Sequence, residues 1–331
     1  MSLMTLPLPD FSRLADGEAL ASIELPPGEP LGAYFRHYGL DAHVVHAGAI
    51  HSGHIEAGGF LLWVQVWTPQ CPPRGTVVVV HGYFDHLGLY GHLLERLLLQ
   101  GFRVVLWDLP GHGLSSGERA SIDSFDTYVG CLRDLLSTLD DRQLLAAPLI
   151  GIGQSTGAAI LATDALERRQ DAPWQSLVLL APLVRPCHWP RSRLIHGATA
   201  PFLHHIPRYY SSNTTDQAFS TFLRWRDPLQ ARTLPLAWVS AMRRWMARLR
   251  HLSPASLPVL ILQGEQDATV DWRWNLPVLT RLLPTAQVVY HPQARHHLVN
   301  EAAAVRQPLF DALEHFLDEQ IDSPCDVPRT P

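Results

Sequence analysis

The chain contains no lysine; all 26 of its basic residues are arginine. That absence removes a Schiff-base amine, an anchor for pyridoxal phosphate and the lysine of a phosphate-binding P-loop. Cysteine is also scarce. Cys71, Cys131, Cys187 and Cys325 stand too far apart for a Cys-x-x-Cys metal or redox pair and outline no disulfide framework, so a reducing compartment is expected. No apolar run approaches membrane-spanning length. The first residues, Met1 to Pro7, carry no basic segment and are broken by proline, so neither a signal peptide nor an anchor is expected and the sequence reads as that of a soluble, cytoplasmic protein. The 18 histidines include no His-x-x-x-His or similar spacing on a predicted helix, so no metal and no cofactor are expected. A net charge of −5 over 331 residues gives no reason to expect a nucleic-acid partner.

What is present is a regular rhythm. Apolar runs at residues 43–50 and 59–67 read as a hairpin, and further strands are predicted at 76–80, 103–107, 176–180, 259–262 and 287–290. Amphipathic helices alternate with them, among them one at 272–283 and a last one carrying Leu309, Phe310, Leu313, Phe316 and Leu317. Such alternation predicts an α/β fold, a mostly parallel sheet covered by helices on both faces. Between 182 and 250 the strand signal stops, and helix-like segments are punctuated by Pro186, Pro190, Pro201, Pro207, Pro228 and Pro235. We therefore expect one core built from residues 1–181 and 251–331, with 1–40 a Pro- and Gly-rich extension, and a helical cap at 182–250 inserted after the sixth strand. The insertion holds eleven arginines against Asp216 and Asp227, a net +9, which leaves −14 for the remainder. Two readings stay open: a cap drawn to an anionic surface or head group, or a lid whose arginines pair with acidic loops of the core. Its aromatics, including Trp189, Phe202, Tyr209, Tyr210, Phe222, Trp225, Trp238 and Trp245, either line a tunnel for an acyl chain or form the lid's own core.

The chemistry centres on Leu149-Ile150-Gly151-Ile152-Gly153-Gln154-Ser155-Thr156-Gly157-Ala158. A buried strand meets Gly-x-Ser-x-Gly and runs at once into a small-residue helix, the context of a nucleophile elbow. Ser155 is the candidate nucleophile, held in strained backbone between close-packed elements that leave no room for side chains at Gly153 and Gly157. Two later loops follow strand ends. One carries Asp267 in Gly264-Glu265-Gln266-Asp267-Ala268-Thr269-Val270, with Glu265 and Asp271 as rival carboxylates, and the other carries the adjacent pair His296 and His297.

Together with His81-Gly82-Tyr83-Phe84-Asp85-His86 and Asp108-Leu109-Pro110-Gly111-His112-Gly113-Leu114-Ser115, these motifs make residues 55–320 resemble an α/β-hydrolase of the serine aminopeptidase-like group, which includes monoacylglycerol lipases and bacterial lysophospholipases. The elbow departs from the group's usual Gly-His-Ser-Met-Gly-Gly, reading Gly-Gln-Ser-Thr-Gly-Ala, which leaves the floor of the site open. The resemblance implies a serine esterase acting on a lipid-like acyl ester, with Ser155 attacking, His296 rather than His297 carrying the proton, and Asp267 orienting the imidazole. A peptidase, an acyltransferase and a non-catalytic binding protein of the same fold are the alternatives. Backbone N–H groups of Tyr83 and Thr156 are the natural oxyanion donors. His81 and His112 are expected to hold loops.

Overall fold

The computed structural model describes residues 8–321, so the reading of the N-terminal residues Met1 to Pro7 and the position of Cys325 lie outside the described residues. A two-residue strand, β1 (Ala21–Ser22), leads into helix α1 (Leu31–Tyr38) and the hairpin β2 (Ala47–Ala57) and β3 (Phe60–Pro69). The core then alternates: β4 (Thr76–Val80), α2 (Gly91–Leu99), β5 (Arg103–Trp107), α3 (Phe125–Asp141), β6 (Leu149–Gln154), α4 (Thr156–Arg168) and β7 (Trp174–Leu180). Next come α5 (Trp189–Thr199), β8 (His205–Pro207), α6 (Gln217–Trp225), β9 (Thr233–Pro235) and α7 (Leu236–Leu249). The chain closes with β10 (Val259–Gly264), α8 (Trp272–Leu282), β11 (Ala286–His291) and α9 (Ala303–Gln320).

Nine strands form one sheet in the order β1-β2-β3-β5-β4-β6-β7-β10-β11. The pairings of β1, β2 and β3 are antiparallel, and every pairing from β5 across to β11 is parallel. Strand β4 shows why the sheet has two cores. All five of its residues are buried; Val77 and Val79 pack with α1, α2 and α9, whereas Val78 and Val80 pack with α3, α4, α7 and α8. Each such side chain, fully withdrawn from water, contributes about 1.5–3 kcal/mol.

The chain passes from β4 to β5 on one side and then back over β4 to β6 on the other, so the strand order reverses at β4. In an open parallel sheet the crevice at the carboxyl ends beside such a reversal is where ligands bind. The loops after β4, β6, β10 and β11 all leave that end.

Three features differ from the sequence reading. The hairpin strands are 47–57 and 60–69 rather than 43–50 and 59–67, because residues 40–46 close into a 3₁₀ turn. Residues 182–250 hold a two-stranded antiparallel ribbon, β8 with β9, as well as helices. Strands of three residues with proline at their ends leave no period to read. The insertion follows the seventh strand, not the sixth, since β1 joins the sheet edge by pairing Ala21 and Ser22 with Ser52 and His51. The N-terminal extension also contributes to the core: Phe11, Leu14, Tyr34 and Phe35 are buried on the α9 side.

Candidate active site

Ser155 sits between the last residue of β6 and the first of α4 with φ 53° and ψ −105°, a conformation that a residue bearing a Cβ adopts only under constraint. The constraint is visible on both sides. A Cβ at Gly153 would lie 2.5 Å from Ala158 N, and one at Gly157 would lie 1.9 Å from Val80 O, so both positions require glycine. Backbone bonds from Ser155 N to Leu180 O (2.8 Å) and from Leu183 N to Ser155 O (3.2 Å) clamp the turn to β7.

His296 lies on the loop after β11, and its Nδ1 is 2.7 Å from Asp267 Oδ2. The other oxygen of Asp267 accepts from Thr269 N (2.7 Å) and Val270 N (3.1 Å), which fixes the carboxylate behind the ring. Burial alone would raise the pKa of Asp267, but the His296 charge and the donated hydrogen bonds outweigh it and hold the acid below its ordinary value. Burial alone would likewise lower His296, yet the facing Asp267 carboxylate carries it above the ordinary imidazole value. The rival groups are engaged elsewhere. Asp271 pairs with Arg185 at 2.7 Å, Glu265 is exposed, and His297 Nε2 lies 3.1 Å from Asp85 Oδ2.

Ser155, Thr156, Tyr83 and His296 open onto one cavity of about 590 Å³, and Asp267 stands behind His296. No hydrogen bond joins Ser155 to His296 among the described residues, an arrangement common in ligand-free sites. Thr156 is the first residue of α4, so its N–H has no partner within the helix. The Tyr83 loop is fixed from below: Gly82 N donates to Tyr90 Oη, which donates to Asp85 Oδ2, both at 3.1 Å. The Tyr83 hydroxyl donates to Ala120 O (2.6 Å), and its ring stacks on Trp238 of α7 at 3.8 Å. His81 accepts from Leu109 N through Nε2 (2.9 Å), and His112 is held against Pro110 O (2.9 Å) with its pKa pushed down to about 3, chiefly by burial.

A scan for known families matches residues 71–303 to the serine aminopeptidase (S33) family. The chain belongs to that family. It is 30% identical over 226 residues to mouse monoglyceride lipase, covering 66% of this chain and 73% of that protein. It is 35% identical over 128 residues to monoacylglycerol lipase of Mycolicibacterium smegmatis, a match that spans 44% of that relative's length. Among solved structures, a soluble variant of monoglyceride lipase from Saccharomyces cerevisiae, in complex with a substrate analog, superposes with a TM-score of 0.70 at 20% identity over 82% of this chain and 95% of that one. This S33 chain is thus an α/β-hydrolase of the serine class.

Several contacts around the site of this S33 hydrolase escape a sequence reading. Gln154 donates to His296 O (2.8 Å), joining the elbow to the histidine loop. Asp227, one of two acids in the basic insertion, is fully buried; its carboxylate lies 3.1 Å from His86 Nε2 and accepts from Tyr38 Oη at 2.9 Å. That pair fastens the insertion to both the loop after β4 and the N-terminal extension. Isolated acids inside a basic stretch were the available signal. Both readings of the insertion's arginines find examples. Arg185 and Arg248 pair with core acids, whereas Arg191 and Arg193 are exposed without a carboxylate partner among the described residues. The aromatics divide too: Trp189, Tyr209, Tyr210, Trp225 and Trp238 line the cavity, Trp245 stacks on Phe125, Phe222 packs on Tyr38, and Phe202 faces solvent.

Proposed function

We propose that this hydrolase cleaves lipid-like carboxylic esters, a monoacylglycerol or a lysophospholipid, through Ser155, His296 and Asp267. The observation that carries the reading is a serine forced to φ 53° at the mouth of a 590 Å³ cavity that it shares with a histidine 2.7 Å from a buried carboxylate. Ser155 Oγ attacks the acyl carbon while His296 Nε2 takes its proton. The N–H groups of Tyr83 and Thr156 stabilise the oxyanion, each donor being worth about 3–4 kcal/mol. Collapse breaks the ester C–O bond, and the proton on His296 passes to the departing alcohol. Water, deprotonated by the same histidine, then attacks the acyl-enzyme and restores Ser155.

The lining favours an ester over a peptide. A group that recognised a free amino terminus would be a carboxylate facing the cavity, and the one acid there, Asp85, is already paired with His297. Leu183, Leu234, Trp238, Val239 and Met242 instead supply apolar lining suited to an acyl chain.

Residues 182–250 act in this reading as a cap that also meets an anionic lipid surface. Leu194 (72% exposed), Phe202 (83%) and Trp225 (61%) are exposed on it, as are Arg191 and Arg193, which have no carboxylate partner among the described residues. No helix among the described residues is long and apolar enough to cross a membrane, so any such contact is peripheral. Placement in the cytoplasm accords with the free thiols of Cys131 and Cys187.

A fluorophosphonate probe tests the nucleophile, and esters of increasing acyl length, with a peptide amide as control, test the substrate class. Labelling that disappears in Ser155→Ala, with turnover of long-chain esters, is the expected result. Failure to label folded protein would leave a non-catalytic binder.

A further inference from the structure

Arg208 enters the cavity that holds Ser155 from the strand partner side of the insertion, one residue after β8. Its guanidinium carbon lies 4.0 Å from the ring centre of Phe84 and 4.4 Å from that of Tyr210, so two aromatic rings pack against it. Nη1 donates to Gln230 Oε1 (2.6 Å) and Ala231 O (3.2 Å), which fixes the plane. The remaining donors, Nε and Nη2, meet no acceptor among the described residues, and no carboxylate there lies within ion-pair distance.

The lack of an acid partner is a property of the surroundings. Two carboxylates exert their charge on Arg208, and each is already committed: Asp85 lies 3.1 Å from His297 and Asp227 lies 3.1 Å from His86. Covering a guanidinium without a neutralising partner is costly, and an anion entering the cavity would relieve that cost. The other arginine on the cavity wall, Arg224, is exposed at the rim and stays hydrated without help.

The position decides what the anion is attached to. Phe84, beneath the guanidinium, directly follows Tyr83, whose N–H serves the oxyanion in the reading above. The lining brings apolar residues, Leu183, Trp238, Val239 and Met242, together with polar ones, Arg208, Ser211, Ser212, Asn213 and Gln217. An acyl chain packed on the apolar residues leaves the alcohol portion of the ester for the polar ones. A planar fork with two free donors matches the oxygens of a phosphate.

We propose that Arg208 is a specificity-determining residue that binds a phosphate on the alcohol side of the ester, so that this enzyme prefers acyl esters of phosphorylated glycerol to neutral monoacylglycerols. The assignment rests on the hydrolase reading of the same cavity. It goes beyond that reading by naming the group that selects among its substrates.

The test compares 1-acylglycerol 3-phosphate with 1-acylglycerol of the same chain, both as monomers below their aggregation concentrations. The wild-type protein should show the higher kcat/KM on the phosphorylated ester. Arg208→Gln should lower the ratio of the two kcat/KM values fivefold or more, and Arg208→Lys, which keeps the charge and loses the fork, should fall between. A smaller change in the ratio, or a wild-type preference for the neutral ester, overturns the proposal. Should Arg208→Gln fail to fold, inhibition of the wild-type protein on a short neutral ester decides: glycerol 3-phosphate should compete and glycerol should not. Competition by inorganic phosphate or succinate as strong as that by glycerol 3-phosphate would mean a general anion site and would overturn the head-group assignment. Calorimetric titration with glycerol 3-phosphate separates this proposal from the one beneath it. Binding that persists without any esterase turnover would sink the hydrolase reading and leave the anion site standing.

Discussion

The side-chain amide of Gln154 donates to the carbonyl oxygen of His296 across 2.8 Å, so the residue before the elbow serine holds the loop of the proposed base. Neither end of this bond meets water, since Gln154 and His296 are both buried. A buried bond of this kind contributes about 0.5–1.5 kcal/mol to stability, but its larger effect is on position, because small displacements of a catalytic ring are expensive. Gln154→Ala should therefore lower kcat about tenfold with little change in KM and only a small loss of melting temperature. Gln154→Glu sets a carboxylate against a carbonyl and should be worse than alanine. Steady-state kinetics on a soluble ester, with thermal melts of each variant, check the ordering.

Removal of the proposed nucleophile or the proposed base should be far more severe. Ser155→Ala and His296→Ala should each reduce kcat by about a thousandfold or more. His297→Ala should act differently, by stripping Asp85 of its partner beneath the Tyr83 loop; it should cost stability and a modest part of kcat. The pH profile separates the two histidines. Because Asp267 holds His296 above the ordinary imidazole pKa of about 6.5, activity should be lost as pH falls through that raised value, placing the acidic limb above about pH 6.5. Asp267→Asn should move that limb to lower pH while cutting kcat, and an unmoved limb would assign it to another group.

The parts of this molecule that sequence makes legible are those in which local pattern and tertiary role coincide. The all-buried β4 reads as a strand because a parallel sheet covered on both faces favours an unbroken run of β-branched, mostly apolar residues, and Gly153-Gln154-Ser155-Thr156-Gly157 reads as a strained turn because glycine is required on both sides. The short strands β1, β8 and β9 are illegible for the opposite reason. They are two or three residues long and exist only through their partners. The same holds within the site. Asp267 and His296 follow strand ends in a recognisable order, but the contact of Asp227 with His86, 141 residues away, has no local signature. Nor does the enclosure of Arg208 by Phe84 and Tyr210, which depends on where the insertion folds back.

The His86–Asp227 contact predicts a pH-dependent latch. Burial would lower His86, but the Asp227 charge raises it above its ordinary value; burial would raise Asp227, but His86 and its hydrogen bonds hold it lower. The histidine's contribution to stability is complete below about pH 6.5 and disappears as pH rises through its folded value. The aspartate's is complete above about pH 4 and disappears as pH falls through its folded value. Both are present between those limits. Asp227→Asn should cost about 3 kcal/mol there, as expected for breaking a buried pair, and the deficit should narrow toward alkaline pH. Denaturant titrations of both proteins from pH 5 to 9 read it directly, and a deficit independent of pH would assign the loss to packing alone.

Contact with an anionic surface should depend on charge and apolar area in separable ways. Arg243 and Arg244 are poor sites to probe it, although they lie exposed on α7, because Arg243 is bonded to His196 and Arg244 to the carbonyl of Asp123. Changing them would disturb the insertion itself. Arg191 and Arg193 on α5 carry no such bonds and stand beside Leu194, with Phe202 just beyond the helix. An arginine near an anionic bilayer is worth about 1 kcal/mol, so replacing both with glutamine should weaken partitioning onto phosphatidylglycerol-containing vesicles roughly thirtyfold at low salt. The loss should shrink as salt rises, since attraction is screened over about 8 Å at physiological ionic strength. Phe202→Ser and Leu194→Ser remove buried area rather than charge and should weaken partitioning about equally at every salt concentration. Vesicle sedimentation across a salt series, with a short soluble ester to confirm that the site is intact, measures both. Equal binding to zwitterionic vesicles would remove the role of the arginines, and no binding by the wild-type protein would leave the exposed face of α5 without a lipid partner.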